Sequence, residues 1–410
     1  MNRHRLPALG ALALVIAGPA RDRFEVSHGP KVIVLLALAA ALMWKGRVPL
    51  GQWRASEWLV IAVFALAAVS GLLANSPALA LAPLALGAGA VALMLGVSAQ
   101  PDRDHWILWT SIAAVIVAAV GLLEMAGVVE LAPHGRAPSS TMGQRNALAH
   151  FLLLASPVIW SRALASRRWL IAIALIAAVI VGTRSRAAWV VGPPLLVLFS
   201  VLTRRAAVLK PIGFAAIGAG VGVLAPIVLR WRQANPYGDT LSRLVEWRSG
   251  SGWSRIVEWT ASIALWKADP LLGIGPGNWF LSYGLQHGGS RFPHSDHVAL
   301  LVERGLVGAL LWVALALAVG GRSRDPVVLC TIVAAAALGA LDSVMQLPAP
   351  LLLVTMVAFA GSRDEVAALR SPIATGPRRS IASSSPPRSI RSTARCGSRW
   401  PRRGRARAIA

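Results

Sequence analysis

Twelve apolar runs, separated by short connections rich in charge, proline or glycine, decide what this chain can fold into. They lie near residues 6–20, 31–44, 57–73, 77–98, 106–124, 146–161, 169–182, 187–203, 211–230, 297–320, 326–343 and 347–361. A bilayer-crossing helix needs about 20 apolar residues, with about 17 as the lower bound. Most runs meet that; 6–20, 31–44, 169–182 and 347–361 are short and draw on flanking residues. Only helices and closed barrels satisfy their backbone inside hydrocarbon, and no alternating strand pattern is present. Composition agrees: charged residues make up 14% of the 410, too few to cover a soluble fold of this size. The expected fold is an all-α integral membrane protein of about twelve (ten to twelve) transmembrane helices.

Lysine and arginine in short loops orient such a chain. With the N-terminus in the cytoplasm, the inside loops carry Lys45, Arg47 and Arg54, then Arg103, then Arg162, Arg167 and Arg168, then Arg204, Arg205 and Lys210, then Arg322 and Arg324. The outside connections at 74–76 and 344–346 carry none. An even number of spans with both termini cytoplasmic follows. Residues 1–20 also have the outline of a signal peptide, but no clean small-x-small cleavage site leads into a soluble domain, so the first run is taken as a span.

The formal charge of +24 resembles a nucleic-acid signal until it is located. Residues 371–410 hold ten arginines, no acid and one aromatic, Trp400. Such a stretch reads as a disordered cytoplasmic tail, and attraction to anionic lipid accounts for it without nucleic acid. The expected division is a transmembrane domain at 1–361 and this tail at 362–410. Cys330 and Cys396 provide neither a disulfide framework nor a metal cluster.

Three basic places fall outside against the rule: 125–145 with Arg136 and Arg145, 183–186 with Arg184 and Arg186, and the long segment 231–296. Arginine at an outer membrane face suits an anionic ligand such as a lipid diphosphate, and equally suits lipid headgroups. The long segment holds six of the sixteen tryptophans, as an interfacial element would. Residues 254–267 predict a helix, started by Ser254 and stopped by Asp269-Pro270. Arg255, Trp259, Ser262 and Trp266 share one face of it. Gly273, Gly275 and Gly277 follow, with Asn278; alone they read as a tight turn, since no Walker lysine or dinucleotide pattern surrounds them. His294 and His297 then stand one turn apart with Asp296 between, too few ligands for zinc but suited to moving a proton. Glu303, beside Arg304, lies about two turns into a span, where an ionisable residue is either functional or structurally paired.

Taken together, these stretches resemble the O-antigen ligase and polymerase family of bacterial membrane glycosyltransferases. GRAPSSTMGQRNALAHFL (135–152) looks like the family's outer loop entering a span, with Asn146 at its asparagine. GTRSRAAWVV (182–191) is similar to its Thr-x-Ser-Arg turn, which puts Arg186 at the family arginine. SRIVEWTASIALWKADPLLGIGPGNW (254–279) is similar to its arginine-bearing helix followed by a Gly-x-Gly-x-x-Asn turn. HSDHVALLVERGLVG (294–308) resembles its His-Asn-x-aromatic-Leu and Glu-x-Gly-Leu-x-Gly elements, placing His294 and Glu303. Ser295 stands where asparagine is frequent and His297 where an aromatic is, so two histidines compete for one role; His294 is preferred by position.

The resemblance implies transfer of an oligosaccharide or polysaccharide from undecaprenyl diphosphate to an acceptor at the periplasmic face of the inner membrane, with inversion and with no cofactor, metal or nucleotide. The acceptor would be lipid A–core, a growing glycan or another envelope molecule. His294 would handle the acceptor hydroxyl, Arg186 and Arg255 the departing diphosphate, and Arg145 would join them. Asn146, Gly275, Gly277, Asn278, His297 and Glu303 would support. The rival class is a solute carrier of the bicarbonate type, which would concentrate polar groups near the midplane.

Overall fold

The computed structural model describes residues 5–16, 29–45, 52–100, 103–129, 131, 138–204, 208–229, 250–287 and 291–360. The expected tail, Arg136 and residues 230–249 of the long segment lie outside them. Among the described residues there are thirteen α-helices and no strand. In order they are α1 (Arg5–Val15), α2 (Gly29–Lys45), α3 (Ala55–Leu73), α4 (Pro77–Ser98), α5 (Arg103–Met125), α6 (Arg145–Ala165), α7 (Trp169–Gly182), α8 (Arg186–Thr203) and α9 (Leu209–Val228). Then come α10 (Gly250–Ala268), α11 (Asp296–Gly320), α12 (Pro326–Leu341) and α13 (Pro348–Phe359).

Seven of these, α3, α4, α5, α6, α8, α9 and α11, are long and apolar enough to cross a membrane by themselves. The protein is thus a multi-pass helical membrane protein. The other five expected spans are helical but shorter, at 10–17 residues. Two of them are bounded by identifiable residues. The run at 326–343 stops as a helix at Leu341, because the backbone turns extended at Asp342. The next helix restarts at Pro348, whose ring suits a first helical position. Asp325 caps the front of α12, accepting from the Val327 amide at 2.7 Å.

α6 is the axis of the bundle. Most of its residues are buried, and it packs against α5, α7, α8, α12 and α13. At the margin, α9 lies on α7 through small residues. Gly218 and Gly222 sit one turn apart, and a Cβ on either would strike the carbonyls of Ala174 and Ala178. This small-xxx-small spacing lets backbones approach where lipid offers no hydrophobic drive to associate.

α11 is broken. Gly305 has φ 64° and ψ −172°, which ends the helical path within the span. The turn at 270–278 fills the break with its own backbone. Val302 O accepts from the Ile274 amide at 2.9 Å and Glu303 O from Gly275 at 3.0 Å, while the Leu306 amide donates to Pro270 O at 2.9 Å. Non-helical backbone at membrane depth persists only when protein satisfies it, as here.

Candidate functional site

Asp342 gathers the polar residues at one end of the bundle. Its position, in the extended connection just past α12, puts a carboxylate where α6, α10 and the front of α11 meet. His294 Nδ1 lies 3.2 Å from Asp342 Oδ1. Arg255 reaches from α10, donating to Asp342 Oδ2 at 3.2 Å and to the Leu341 carbonyl at 2.8 Å. Asn146, in the first turn of α6, donates to the same Oδ2 at 3.2 Å. Asp342 is buried, while Arg255 and His294 stay partly exposed. Burial opposes ionisation of Asp342. The hydrogen bond from His294 and the charges of His150, Arg255 and His294 outweigh it and hold the carboxyl below the usual carboxylate range.

An ionised Asp342 accepts only, so His294 Nδ1 carries the proton and Nε2 is left as the basic nitrogen. Two anchors set the ring's place. Trp259 Nε1 donates to the Pro293 carbonyl at 2.8 Å, tying the residue before His294 to α10. Ser295 caps α11, accepting from the Val298 amide, and donates to Gly339 O at 3.1 Å. Ser295 is thus a competent cap. Between these anchors His294 adopts φ 48°, a left-handed conformation costly for a side chain with a Cβ.

The two competing histidines part company. His297 Nε2 donates to the Ala336 carbonyl at 2.9 Å on the flank of α12, away from Asp342. Asp296 Oδ2 accepts from the Val344 and Met345 amides at 2.9 and 2.8 Å, fastening the connection that carries Asp342.

The glycine turn forms a second, separate cluster. Glu303 Oε1 accepts from the Gly277 amide at 3.0 Å, and Ser70 Oγ donates to the carbonyls of Leu272 and Glu303. Asn278 Oδ1 accepts from the Ser76 amide at 3.1 Å, and its amide donates back to Ser76 O. Gly275 has φ 91° and abuts Ser70 O, and Gly277 abuts Leu79 O. Gly275, Gly277, Asn278 and Glu303 thus join the 270–278 turn to α3, α4 and the break in α11. Their backbone amides are spent on protein acceptors and present no phosphate cradle.

Arg186 opens α8 and Arg145 opens α6. Short connections make α6, α7 and α8 successive antiparallel helices, so both arginines stand at the Asp342 end. Both are partly exposed.

Sequence reasoning missed three residues. Asp342 fell inside the expected span 326–343, yet it is the only acid between Asp325 and Asp364. An acid at the end of an apolar run was the available signal. Glu258, one turn after Arg255, has a buried Oε2 with no hydrogen-bond partner; burial raises its carboxyl above the usual range, against the charges of His294 and Arg255. His150 is 1% exposed, with Nε2 also unpartnered, one turn below Asn146 on α6. Among the described residues, no group of three or more His, Cys, Asp or Glu side chains is placed to hold a metal.

Residues 171–313 match the family model for O-antigen ligase. No curated protein matches the chain. The matched stretch contains Arg186, Arg255, the glycine turn, both histidines and Glu303, and leaves Asn146 and Asp342 on either side.

Proposed function

We propose that this chain, a member of the O-antigen ligase and polymerase family through residues 171–313, transfers a glycan from undecaprenyl diphosphate to an acceptor hydroxyl. The reaction takes place at the periplasmic face of the inner membrane, with lipid A–core, a growing glycan or another envelope molecule as acceptor. The observation that carries this reading is the Asp342 cluster: one carboxylate holds a histidine on one oxygen and an arginine on the other.

In the proposed step the acceptor oxygen attacks the anomeric carbon from the face opposite the diphosphate. Its proton passes to His294 Nε2, and the carbon–oxygen bond to the diphosphate breaks with the electron pair on the leaving group. Asp342 fixes the tautomer and stabilises the imidazolium that forms. Two donors of the Arg255 guanidinium bind Asp342 and Leu341, leaving others of its five N–H groups for a diphosphate oxygen. Arg186 and Arg145 stand at the same end and complete the anion site. Charge on the leaving group grows as the bond breaks, so arginine contacts favour the transition state over the ground state. The residue set needs no cofactor. The transmembrane unit comprises residues 1–361, with a cytoplasmic tail at 362–410.

A solute carrier would be expected to route polar groups through the midplane. Here Glu303, a carboxylate within a span, is occupied in holding the glycine turn. The test is genetic and chemical together. His294→Ala, returned to a deletion strain, should stop glycan transfer and let lipid-linked donor accumulate, at unchanged protein level. A general base contributes about 10²–10⁴-fold, so the loss should be nearly complete. Normal surface glycan from His294→Ala would overturn the proposal.

A further inference from the structure

The end of the bundle away from Asp342 carries a cleft that the proposed transfer does not use. Its place follows from the helices: Arg54 precedes α3, Arg103 opens α5 and Arg322 follows α11, whereas Asn278 docks beyond the far end of α3 and Asp296 opens α11. The cleft is lined by the guanidinium-bearing Arg54, Arg103 and Arg322 with Ser56 and Ser323. Among the described residues that line it there is no carboxylate, and Asp325, beside it, is paired with Arg103. The remaining wall is apolar, including Val319, Val328 and Phe359. That pairing, with the residue that caps α12, fixes one guanidinium at the rim.

Loop orientation alone accounts for basic residues at this end of the molecule, but not for three distant segments converging on one cleft with an apolar wall. Guanidiniums match phosphate oxygens in pairs, and basic pockets between spans take anionic headgroups. In chemical character the charged side suits a phosphodiester and the apolar wall an acyl chain. We propose that this cleft binds an anionic phospholipid, its phosphodiester held by Arg54, Arg103 and Arg322 and an acyl chain laid along Val319, Val328 and Phe359. Free phosphate shares the headgroup chemistry but has no use for the wall.

The full chain, purified in mild detergent and stripped of lipid, is offered cardiolipin, phosphatidylglycerol or phosphatidylcholine and examined by native mass spectrometry. The two anionic lipids should be retained about tenfold better than phosphatidylcholine, and the double variant Arg54→Gln, Arg322→Gln should lose most of that preference. Excess inorganic phosphate should not displace the lipid. Equal retention of all three lipids, or an unchanged preference in the double variant, would overturn the proposal, and displacement by phosphate would reassign the cleft to a free anion. Should the double variant fail to fold, Arg322→Gln alone, on an exposed turn, carries the same reading. A salt titration of the wild type then adds a second one, since retention that ignores ionic strength rules out the arginine contacts. The measurement needs no transfer activity, so its outcome is independent of the function proposed above.

Discussion

Asp342 and Glu258 are two carboxylates near the same histidine, and their surroundings push them in opposite directions. Asp342 has hydrogen-bond donors on both oxygens and its carboxyl is held low; Glu258 has a buried oxygen without a donor and its carboxyl is raised. The sign of each stability effect follows. A carboxyl held low in the fold contributes stability that is complete above the unfolded value of about 3.9 and is lost as pH falls toward the folded one. Asp342→Asn should therefore lower the melting temperature by a constant amount between neutral pH and about pH 5, and the gap to wild type should narrow below about pH 4. A carboxyl raised in the fold costs stability once it ionises, so Glu258→Gln should leave the melting temperature at pH 7 unchanged or higher. Thermal unfolding of the purified variants checks both, and a lower melting point for Glu258→Gln would mean its charge is needed by the fold. Activity should separate from stability at Asp342. Asparagine there presents an amide to His294 and favours the wrong tautomer, so transfer should fall by about 10²-fold or more even at temperatures where the variant is fully folded.

The helix break and the turn that fills it make one element assembled from two distant pieces of chain. Gly305 supplies the left-handed backbone, and a Cβ there would run into the Leu271 carbonyl, so Gly305→Ala faces both strain and collision. A loss of about 1–3 kcal/mol from strain alone is expected, read as reduced membrane protein level and melting temperature. Glu303 is the discriminating residue. Glutamine keeps an oxygen for the Gly277 amide and should be tolerated, whereas alanine strands that amide at about 1–3 kcal/mol. Glu303→Gln with full stability and no transfer would instead put Glu303 in the chemistry. This element also marks what sequence could and could not reveal. The apolar runs coincide with twelve of the thirteen described helices, and three glycines in five residues announced a turn. Nothing local tells that the turn's amides are used by residues about thirty positions on, because the partners of Ile274 and Gly275 are backbone carbonyls without a side-chain signature, even though the Gly277 amide is taken by the Glu303 side chain. His294, Arg255 and Asn146 were legible as chemistry-bearing types at span ends. Asp342, which joins them, was hidden because a lone acid at the end of an apolar run is absorbed into the run by any average over the window.

For the molecule as a whole, the two ends of the bundle must face different compartments if the transfer site is to meet a lipid-linked donor. The Asp342 end holds the starts of α6, α8 and α11 and the ends of α3 and α12; the opposite end holds the cleft of Arg54, Arg103 and Arg322. Basic residues in the short loops are concentrated at that opposite end, which the positive-inside tendency assigns to the cytoplasm. Arg145, Arg186 and Arg255 sit at the other end against that tendency, so their placement has to be carried by a ligand or by the fold. The two possibilities give different results. Reporter fusions after residues 76, 140 and 290 should read as periplasmic, and fusions after 50, 165, 207 and 323 as cytoplasmic. Replacing Arg186 with alanine should abolish most transfer without altering that pattern, and lysine should rescue only in part, because an ammonium cannot make a bidentate diphosphate contact. An Arg186→Ala protein that inserts normally and transfers at wild-type rate would show that the arginine serves the bilayer surface. A cytoplasmic reading at 290 would be more severe, since it would put His294 and Asp342 on the wrong side of the membrane from their donor.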